Sequence, residues 1–426
     1  MDREFITNLG VVLEINPTSI TKQYPYDEIE YIDISSVGTG FFSGSTHMLL
    51  AEAPSRAKRL VEHGDTIIAM VRPNLRSFLY IKNPPKNMVV STGFAVLRPN
   101  NKINSRFLYY TVTNQKFTDY LSANVRGAAY PAVDTETFAR AKIWLPDLPV
   151  QEKIASILST YDDLIENNTR RIKILEEMAK TIYEEWFVKF RFPGHEKVKM
   201  IESELGMIPE GWRIVELSQV SRVVDCLHSK KPSEVTTPDE QYGFLLHIWN
   251  IKGEGRLDLS KKYFINEKDY RMWTRNIEVV EGDCVITNVG RVGDFAQIPR
   301  GVKAAIGRNM TAIRPIKEGV SPTFLIEYLR SPFMDKERAA KVDRGTIMDS
   351  LNVKGIVKLL IPMPPKGLME RFENFAYPLR LQAQILQEKI DNLRKTRDLL
   401  LPKLISGEIY VENLDIQAGD LNEPDV

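Results

Sequence analysis

The apolar residues of this chain form two long stripes with a period close to seven residues. The first stripe steps by four and three residues in alternation, through Tyr161, Ile165, Asn168, Ile172, Leu175, Ala179, Ile182 and Trp186. The second stripe keeps a strict interval of seven, through Phe372, Leu379, Leu386, Leu393 and Leu400. A narrow stripe of this period is typical of helices that pair with one another. We therefore predict two long helices that pair antiparallel; the alternative is that each stripe is the core face of its own domain.

Three residues bear on the ends and the register of these helices. Pro378 predicts the start of the long second helix, because proline is tolerated in the first turn of a helix and not in its interior. Gly407 lies where a helix C-cap is expected. Asn168 interrupts the first stripe, and it is either a residue that fixes the register of the pair or an ordinary polar interruption.

Short runs rich in β-branched residues lie between Gly, Pro and Asn in both halves of the chain, and this pattern predicts strands. The runs are Thr66–Val71, Val89–Leu97, Cys284–Val289 and Met310–Ile313. Two shorter helices are predicted over Phe107–Leu121 and Thr323–Arg330. Their start signals are the N-cap candidates Asn104, Ser105 and Ser321, together with Pro322.

The chain is internally duplicated. Five segments of the first half recur in order in the second half, with an offset of 216 to 218 residues. The paired segments are Glu62–Ile68 with Val280–Ile286, Ala95–Pro99 with Thr311–Pro315, Arg106–Tyr110 with Thr323–Tyr328, Arg126–Gly127 with Arg344–Gly345, and Ile143–Pro146 with Leu359–Pro362. Five pairs in order with a nearly constant shift indicate duplication of a whole domain and its helix.

The duplication and the stripes together predict an α+β fold. Two repeated α/β domains are separated by two long antiparallel coiled-coil helices, about a pseudo-two-fold axis. The predicted segments are domain 1 (1–150), helix 1 (151–192), a linker (193–208), domain 2 (209–366), helix 2 (367–407) and an acidic tail (408–426).

The nearly neutral total charge hides an asymmetry. The sequence has 57 basic and 56 acidic residues, for a net charge of +1. From Leu404 onward it has six acidic residues and no Lys or Arg, so residues 1–403 carry a net charge of +7. A mildly basic body fits a polyanionic partner. A solvated tail on an ordinary body explains the charge equally well.

The composition also predicts a cytoplasmic protein. No apolar stretch approaches the ~18 residues that a membrane span needs. The first residues lack the basic and apolar regions of a signal peptide. The two cysteines, Cys226 and Cys284, are too few for a disulfide framework or a cysteine-rich zinc site.

Fragments that look like catalytic motifs fail on inspection. Gly38–Gly44 spaces its third glycine one residue too far for a dinucleotide-binding loop. Asn83–Lys86 is similar to the Asn-Pro-Pro-aromatic loop of adenine methyltransferases, but Lys86 cannot stack on a flipped base. The five histidines lack metal-ligand spacing, and no Gly-x4-Gly-Lys phosphate-binding loop is present. The sequence therefore predicts no catalytic residue, metal site or cofactor in this chain.

DNA is the polyanion whose dimensions fit the predicted helices. A helix of about 27 residues is roughly 40 Å long at ~1.5 Å per residue, and one turn of DNA is about 34–36 Å. Loops at equivalent positions of the two repeats supply side chains suited to bases and phosphates. A structural role explains any single residue as well, but the set on equivalent loops favours DNA contact. The candidates are Arg72, Asn74, Arg76, Arg126, Tyr130, Trp249, Asn250, Lys252, Arg291, Arg308, Asn309 and Arg344.

Four further stretches carry a resemblance to a known family. They are Leu145–Ile154, Glu185–Gly194, Ile208–Trp212 and Leu400–Ile409. Together they resemble the specificity (S) subunit of type I restriction–modification systems, over almost the whole chain and in step with the repeat. The chain departs from that pattern at Pro364–Glu370, which lacks a counterpart of Gln151, and before Leu9, where the Pro-Glu-Gly-Trp signature is missing.

The resemblance implies a non-catalytic DNA-binding subunit. Each target-recognition domain would recognise one half of a split, asymmetric DNA sequence. The helices would set the spacing and dock two modification (methyltransferase) subunits, and two restriction (motor-nuclease) subunits would join that core. S-adenosylmethionine, ATP and Mg would belong to those partners. The alternative from the residues alone is a coiled-coil scaffold that binds proteins without DNA specificity.

Overall fold

The computed structural model describes residues 6–39, 41–126, 131–252, 255–345 and 349–415. The chain divides into two compact units. Unit 1 comprises Met1–Asn167 and Ile390–Val426, and unit 2 comprises Asn168–Lys389. In sequence, unit 2 is therefore inserted between two segments of unit 1. The six segment boundaries given above remain predictions.

Unit 1 is built from two four-stranded sheets and helices that cover them. Its elements are β1 (Ile6–Asn8), β2 (Leu13–Ile15), β3 (Glu28–Ile32), β4 (Val37–Gly38), β5 (Phe41–Phe42), β6 (Thr46–Leu49), β7 (Ala57–Leu60), β8 (Thr66–Ala69), β9 (Phe78–Tyr80), β10 (Met88–Ser91), β11 (Phe94–Pro99), α1 (Ser105–Thr113), α2 (Gln115–Ala123), α3 (Thr135–Arg140), β12 (Lys142–Trp144) and the first part of α4 (Leu148–Tyr183). The strand orders are β2-β11-β8-β9 and β6-β3-β10-β7, and β1 pairs with β12.

Strand β8 shows why apolar and polar residues do not alternate in the predicted apolar runs. All four of its residues are buried. Successive side chains of a strand point to opposite faces, and here each face meets a different core. Ile68 packs with Phe107 of α1, whereas Ile67 and Ala69 pack with Phe94 on the other side.

Unit 2 repeats this construction. Its elements are β13 (Met200–Ser203), β14 (Gly206–Pro209), β15 (Arg213–Glu216), α5 (Leu217–Val220), β16 (Ser221–Asp225), β17 (Gly243–Leu246), β18 (Tyr263–Ile265), α6 (Glu267–Trp273), β19 (Cys284–Thr287), β20 (Phe295–Gln297), β21 (Ala305–Ile306), β22 (Met310–Pro315), α7 (Pro322–Leu329), α8 (Pro332–Lys341), α9 (Val353–Val357), β23 (Leu360–Met363) and the first part of α10 (Lys366–Leu404).

The sheet topology of unit 2 confirms the duplication. The order β16-β22-β19-β20 matches β2-β11-β8-β9, and β15 pairs with β23 as β1 pairs with β12. In the second sheet, β17 runs parallel to β21 and antiparallel to β18. In the same way, β3 runs parallel to β10 and antiparallel to β6. Unit 1 adds β7 at the edge next to β10.

The long helices pair antiparallel, as predicted. In unit 1 the beginning of α4 meets the end of α10, where Leu158 and Leu404 share a buried cluster. In unit 2 the end of α4, which continues through a π-helical turn at Glu184–Val188, meets the beginning of α10. There the ring centroids of Phe187 and Phe372 lie 5.0 Å apart.

The predicted stripes lie on the inner faces of these helices. The buried members are Ile165, Asn168, Ile172, Ala179, Phe372 and Leu386. The partly buried members are Tyr161, Leu175, Ile182, Trp186, Leu379, Leu393 and Leu400.

The prediction that Pro378 marks the start of the second long helix is wrong. The helix begins at Lys366, and Pro378 lies inside it. Proline cannot donate a hydrogen bond to Asn374, one turn earlier, but Asn374 is exposed, so water can reach its carbonyl. The turns before Pro378 are held by the buried side chains of Phe372 and Ala376. This packing outweighs the local cost of proline.

The shorter helices follow their predicted caps. Asn104 accepts from the backbone N–H groups of Arg106 and Phe107, and Ser321 accepts from that of Phe324, with Pro322 in the first turn. The predicted helix over Phe107–Leu121 is in fact two helices. Asn114 separates them because its side chain accepts from the N–H of Phe117 and caps α2.

Each repeat contains an equivalent buried ion pair between an arginine and an aspartate. In unit 1, the Arg98 guanidinium donates to both carboxylate oxygens of Asp65, at 2.9 and 2.8 Å. In unit 2, Arg314 donates to Asp283 at 2.8 and 2.6 Å. Both aspartates are almost fully buried. The repeated Gly-Asp and Arg-Pro motifs are therefore the two halves of one structural pair.

The beginning of the acidic tail packs on unit 1. Val411 is buried in its core, and Lys153 Nζ donates to the backbone carbonyls of Glu412 and Leu414 at 2.7 and 2.9 Å. Gly407, in the left-handed region at φ +71°, follows the end of α10 as predicted. None of the helices in the described ranges is both long and apolar enough to cross a membrane.

Candidate nucleic-acid interface

In unit 1, two of the predicted loops lie side by side. The loop between β8 and β9 carries Arg72, whose backbone N–H donates to the Pro131 carbonyl at 2.9 Å. Val71 pairs with Ala132, and Ala132 also pairs with Arg126. The loop that follows α2 is therefore hydrogen-bonded to the β8–β9 loop, and Arg72 and Arg126 belong to one surface.

The side chains of this surface differ in whether they already form hydrogen bonds or ion pairs within the protein. Arg72 and Asn74 are exposed. Arg126 is exposed and pairs with Asp134 at 2.9 Å. Arg76 instead supports the loop, because it donates to the Gln115 side chain at 2.7 Å and the Thr113 carbonyl at 2.9 Å. The remaining candidate of this unit, Tyr130, lies outside the described residues.

In unit 2, four predicted loops meet. The Asn288 N–H donates to the Asn309 carbonyl, and the Leu351 N–H donates to the Asn288 carbonyl, both at 2.8 Å. Val289 pairs with Ser350, which brings in the loop that carries Arg344. The fourth loop is tied by Arg291, as described next. From the sequence, the Arg291 and Arg344 loops were predicted as counterparts of loops in the first repeat and the other two only as further candidates, but only the fold shows that all four meet.

Arg291 fastens the Trp249 loop to the β19–β20 loop. Its guanidinium donates to the Ile248 carbonyl at 2.7 Å and to the Ile251 carbonyl. Its Nε also lies 3.2 Å from the Asp294 carboxylate. Much of its hydrogen-bonding capacity is therefore used within the protein.

The other candidates of unit 2, like those of unit 1, include both side chains that support the loops and exposed side chains. Asn250 is buried, and its amide accepts from the His247 N–H and donates to the carbonyls of Asp258 and Lys261. It therefore shapes the loop. Exposed side chains are those of Lys252, Arg308, Asn309 and Arg344. Lys252 lies 3.3 Å from Asp258, and Arg308 donates to the Ser229 carbonyl at 2.9 Å.

An aromatic cluster next to these loops escaped the sequence reasoning, apart from Trp249. The Trp249 ring is 39% exposed and stacks on His247, with centroids 3.8 Å apart and planes within 3°. Lys231 Nζ lies 4.0 Å from the Tyr263 centroid, and Lys261 Nζ lies 5.3 Å from that of Trp249. Burial, with the two lysines, lowers the pKa of His247 to about 4, so the stacked imidazole is neutral near pH 7.

The cluster combines a flat aromatic surface with positive charge. Aromatic rings stack on bases, and lysines neutralise phosphates. The lysine doublets at 230–231 and 261–262 were the available sequence signal. Nothing in the sequence, however, indicated that two segments about 30 residues apart would meet.

Comparison with known proteins agrees with these features. Residues 6–177 match the family described as "Type I restriction modification DNA specificity domain". The type I restriction enzyme MjaIX specificity subunit of Methanocaldococcus jannaschii is 26% identical over 406 residues, covering 93% of this chain and 90% of the relative. The HindI specificity subunit of Haemophilus influenzae is 26% identical over 444 residues, covering 90% and 95%. Residues 6–177 therefore match a type I restriction–modification DNA specificity domain, and the chain over nine tenths of its length is similar to type I specificity subunits.

The fold is similar to that of a solved S subunit. The crystal structure of the type I restriction–modification system S subunit from M. genitalium aligns with a TM-score of 0.56 at 14% identity, covering 95% of this chain and 97% of that one. At this identity the likeness concerns the fold alone. The roles of individual loop residues are not fixed by it and stay predictions.

Proposed function

We propose that this chain is the DNA-recognition subunit of a type I restriction–modification enzyme, and that each unit recognises one half of a bipartite target. The observation that carries the proposal is that each repeat gathers its arginine-bearing loops onto one surface. Exposed Arg72 and Arg126 do so in unit 1, and exposed Arg308 and Arg344 in unit 2. Arginine suits guanine, asparagine suits adenine, and both contact phosphate.

We further propose that the chemistry resides in partner subunits. Two modification subunits would bind the helices, two restriction subunits would join that core, and these partners would carry S-adenosylmethionine, ATP and Mg. Support comes from large apolar side chains that the helices leave exposed: Leu164 and Leu399 in unit 1, and Ile174, Met178 and Phe375 in unit 2. Large apolar side chains left exposed are a common feature of protein-binding surfaces.

The first test concerns charge at the unit 1 surface. Arg72→Gln removes the positive charge of an exposed side chain and leaves a shorter, neutral polar one. If Arg72 contacts a phosphate, the affinity of the full chain for target duplex falls, and the slope of log K against log salt becomes shallower by about one. If it contacts a base, discrimination at one position falls by about 1–3 kcal/mol. Fluorescence anisotropy over a salt series measures both.

Arg140→Gln is the matched control for this test. Arg140 is an equally exposed arginine of unit 1 that pairs with Glu136 on its own helix. It should leave both the affinity and the salt slope unchanged. A wild-type affinity for DNA that does not depend on salt concentration would favour the protein-binding scaffold. Equal effects of the two variants would show that the Arg72 surface has no special role in DNA binding.

The second test concerns the bipartite target. Residues 1–145 are replaced by the equivalent segment of a relative with a different target, and methylated adenines are mapped in a host that carries the hybrid and its modification subunit. One half of the target should change and the other should stay. A change in both halves would show that the units do not recognise DNA independently. The chain alone with labelled S-adenosylmethionine, which should leave DNA unlabelled, is the control for partner-borne chemistry.

A further inference from the structure

Three groups that can bind metals meet where β16 ends in unit 2. Asp225, Cys226 and His228 each offer one ligand atom, and these atoms all lie within 4.8 Å of one another. Asp225 Oδ2 and His228 Nε2 are 2.9 Å apart. Asp225 Oδ1 accepts from the Cys226 N–H at 2.8 Å, which holds the carboxylate beside the thiol.

The thiol of Cys226 lies beside both a carboxylate and backbone N–H groups. Cys226 is buried, and burial together with the Asp225 carboxylate raises its pKa, whereas the backbone N–H groups of Met310 and Asn309 act in the opposite direction. Asn309 adopts the left-handed conformation at φ +63°, and its turn lies directly over the end of β16, where the Cys226 N–H donates to the Met310 carbonyl at 3.2 Å. A bound metal ion supplies the positive charge that stabilises the thiolate, so the thiol loses its proton on binding.

The two other groups are free to adjust. The His228 side chain is 76% exposed and that of Asp225 is 37% exposed. In a tetrahedral site with metal–ligand distances of 2.0–2.3 Å, ligand atoms are about 3.3–3.8 Å apart. The histidine therefore has to move by less than about 1 Å from its present hydrogen bond to Asp225, and its exposure permits that movement.

We propose that Cys226, His228 and Asp225 form a binding site for Zn²⁺ or a chemically similar divalent cation, with solvent at the fourth position. Thiolate, imidazole and carboxylate together suit zinc, whereas Mg²⁺ and Ca²⁺ prefer oxygen ligands alone. On binding, the thiol proton passes to solvent, and the proton shared by His228 Nε2 and Asp225 moves by way of solvent to Nδ1, so that Nε2 and the carboxylate can each bond to the metal. Oxidation states do not change.

The site would fix the loop that follows β16. That loop continues to Ser229, whose carbonyl accepts from Arg308, and to Lys231, which lies over Tyr263. A metal ion bound at the start of this loop would link residues 226–228 to the end of β16 and restrict the motion of the loop. Its relevance to DNA rests on the proposed function, but the binding of the metal does not.

The test is a metal titration of the full, tag-free chain after chelator treatment. Co²⁺ should bind with a stoichiometry of one and give the near-ultraviolet charge-transfer absorption of a thiolate ligand, and Zn²⁺ should displace it while Mg²⁺ does not. Cys226→Ser should abolish that band. His228→Ala should weaken Zn²⁺ affinity by at least about 10–100-fold, the loss seen even for residues that only orient ligands.

Cys284→Ala is the matched control, since Cys284 is the other buried cysteine and has no such neighbours among the described residues. It should keep the band. Circular dichroism confirms that each variant is folded. No stoichiometric band in the wild type, or a band that survives Cys226→Ser, would overturn the site. Hydrogen exchange of 226–231 should slow with Zn²⁺ in the wild type and not in His228→Ala; unchanged exchange despite binding would overturn the loop restriction.

Discussion

Replacing Phe372 with alanine is expected to lower the free energy of unfolding of unit 2 by about 3–5 kcal/mol. Phe372 has no exposed surface and joins α10 to the end of α4 and to α7. Its ring centroid lies 5.0 Å from that of Phe187, 5.9 Å from that of Tyr183 and 6.3 Å from that of Phe324. The large cost arises because alanine leaves a cavity among rings that cannot collapse together.

Urea unfolding followed by tryptophan fluorescence measures this change. Four of the five tryptophans, all but Trp144, lie in unit 2, so the signal reports mainly on that unit. Phe375→Ala is the control, because Phe375 lies on the same helix and contacts Trp186 at 6.0 Å but is 56% exposed. Its loss should cost less than about 1 kcal/mol. Equal effects of the two substitutions would contradict the role assigned to the buried ring.

Asp65→Asn is expected to destabilise unit 1 by about 3 kcal/mol, because it leaves the Arg98 guanidinium without its buried counter-ion. The value is at the lower end for a broken buried pair, since the Arg98 side chain keeps 19% exposure and water can partly replace the lost partner. Hydrogen exchange of the β8 amides, Thr66–Ala69, reports the stability of unit 1 directly.

Glu62→Gln is the control for the buried pair. Glu62 contacts the same guanidinium at 2.9 Å, but its side chain is 66% exposed, so its removal should cost no more than about 1 kcal/mol. Asp283→Asn should destabilise unit 2 as Asp65→Asn destabilises unit 1. Hydrogen exchange of the β19 amides measures this change. If Asp65→Asn and Glu62→Gln have the same effect, burial does not determine the strength of this pair.

Much of the fold could be predicted from the sequence because its signals are local or repeated. The caps Asn104 and Ser321 act on N–H groups two or three residues away, and the duplicated Gly-Asp and Arg-Pro motifs occur at a nearly constant offset. Pro378 shows the limit of such reasoning. Its local preference predicted a helix start, but aromatic packing around Phe372, which depends on residues far away in sequence, decides the outcome.

The candidate site was predictable as a set of loops and not as a set of contacts. Arg72 and Arg126 were chosen because they lie on loops of the repeat, and the fold does bring their loops together. Arg76 and Asn250 are also an arginine and an asparagine on predicted loops, yet their side chains form hydrogen bonds within the protein itself. Sequence spacing cannot separate these cases, because the competing carbonyls of Asp258, Lys261 and Thr113 are positioned only by tertiary structure.

The interrupted course of unit 1 along the chain has a consequence for its synthesis. Leu404 and Val411 occupy the core of unit 1, yet they follow the 222 residues of unit 2. At 5–20 residues per second, the ribosome needs about 10–45 s to make that insertion. Throughout this time the core positions of Leu404 and Val411 are unfilled, and unit 2 receives its last residue, Lys389, before either of them is made. The order of emergence thus favours completion of the second unit before the first, and makes the nascent N-terminal body a natural client for chaperones.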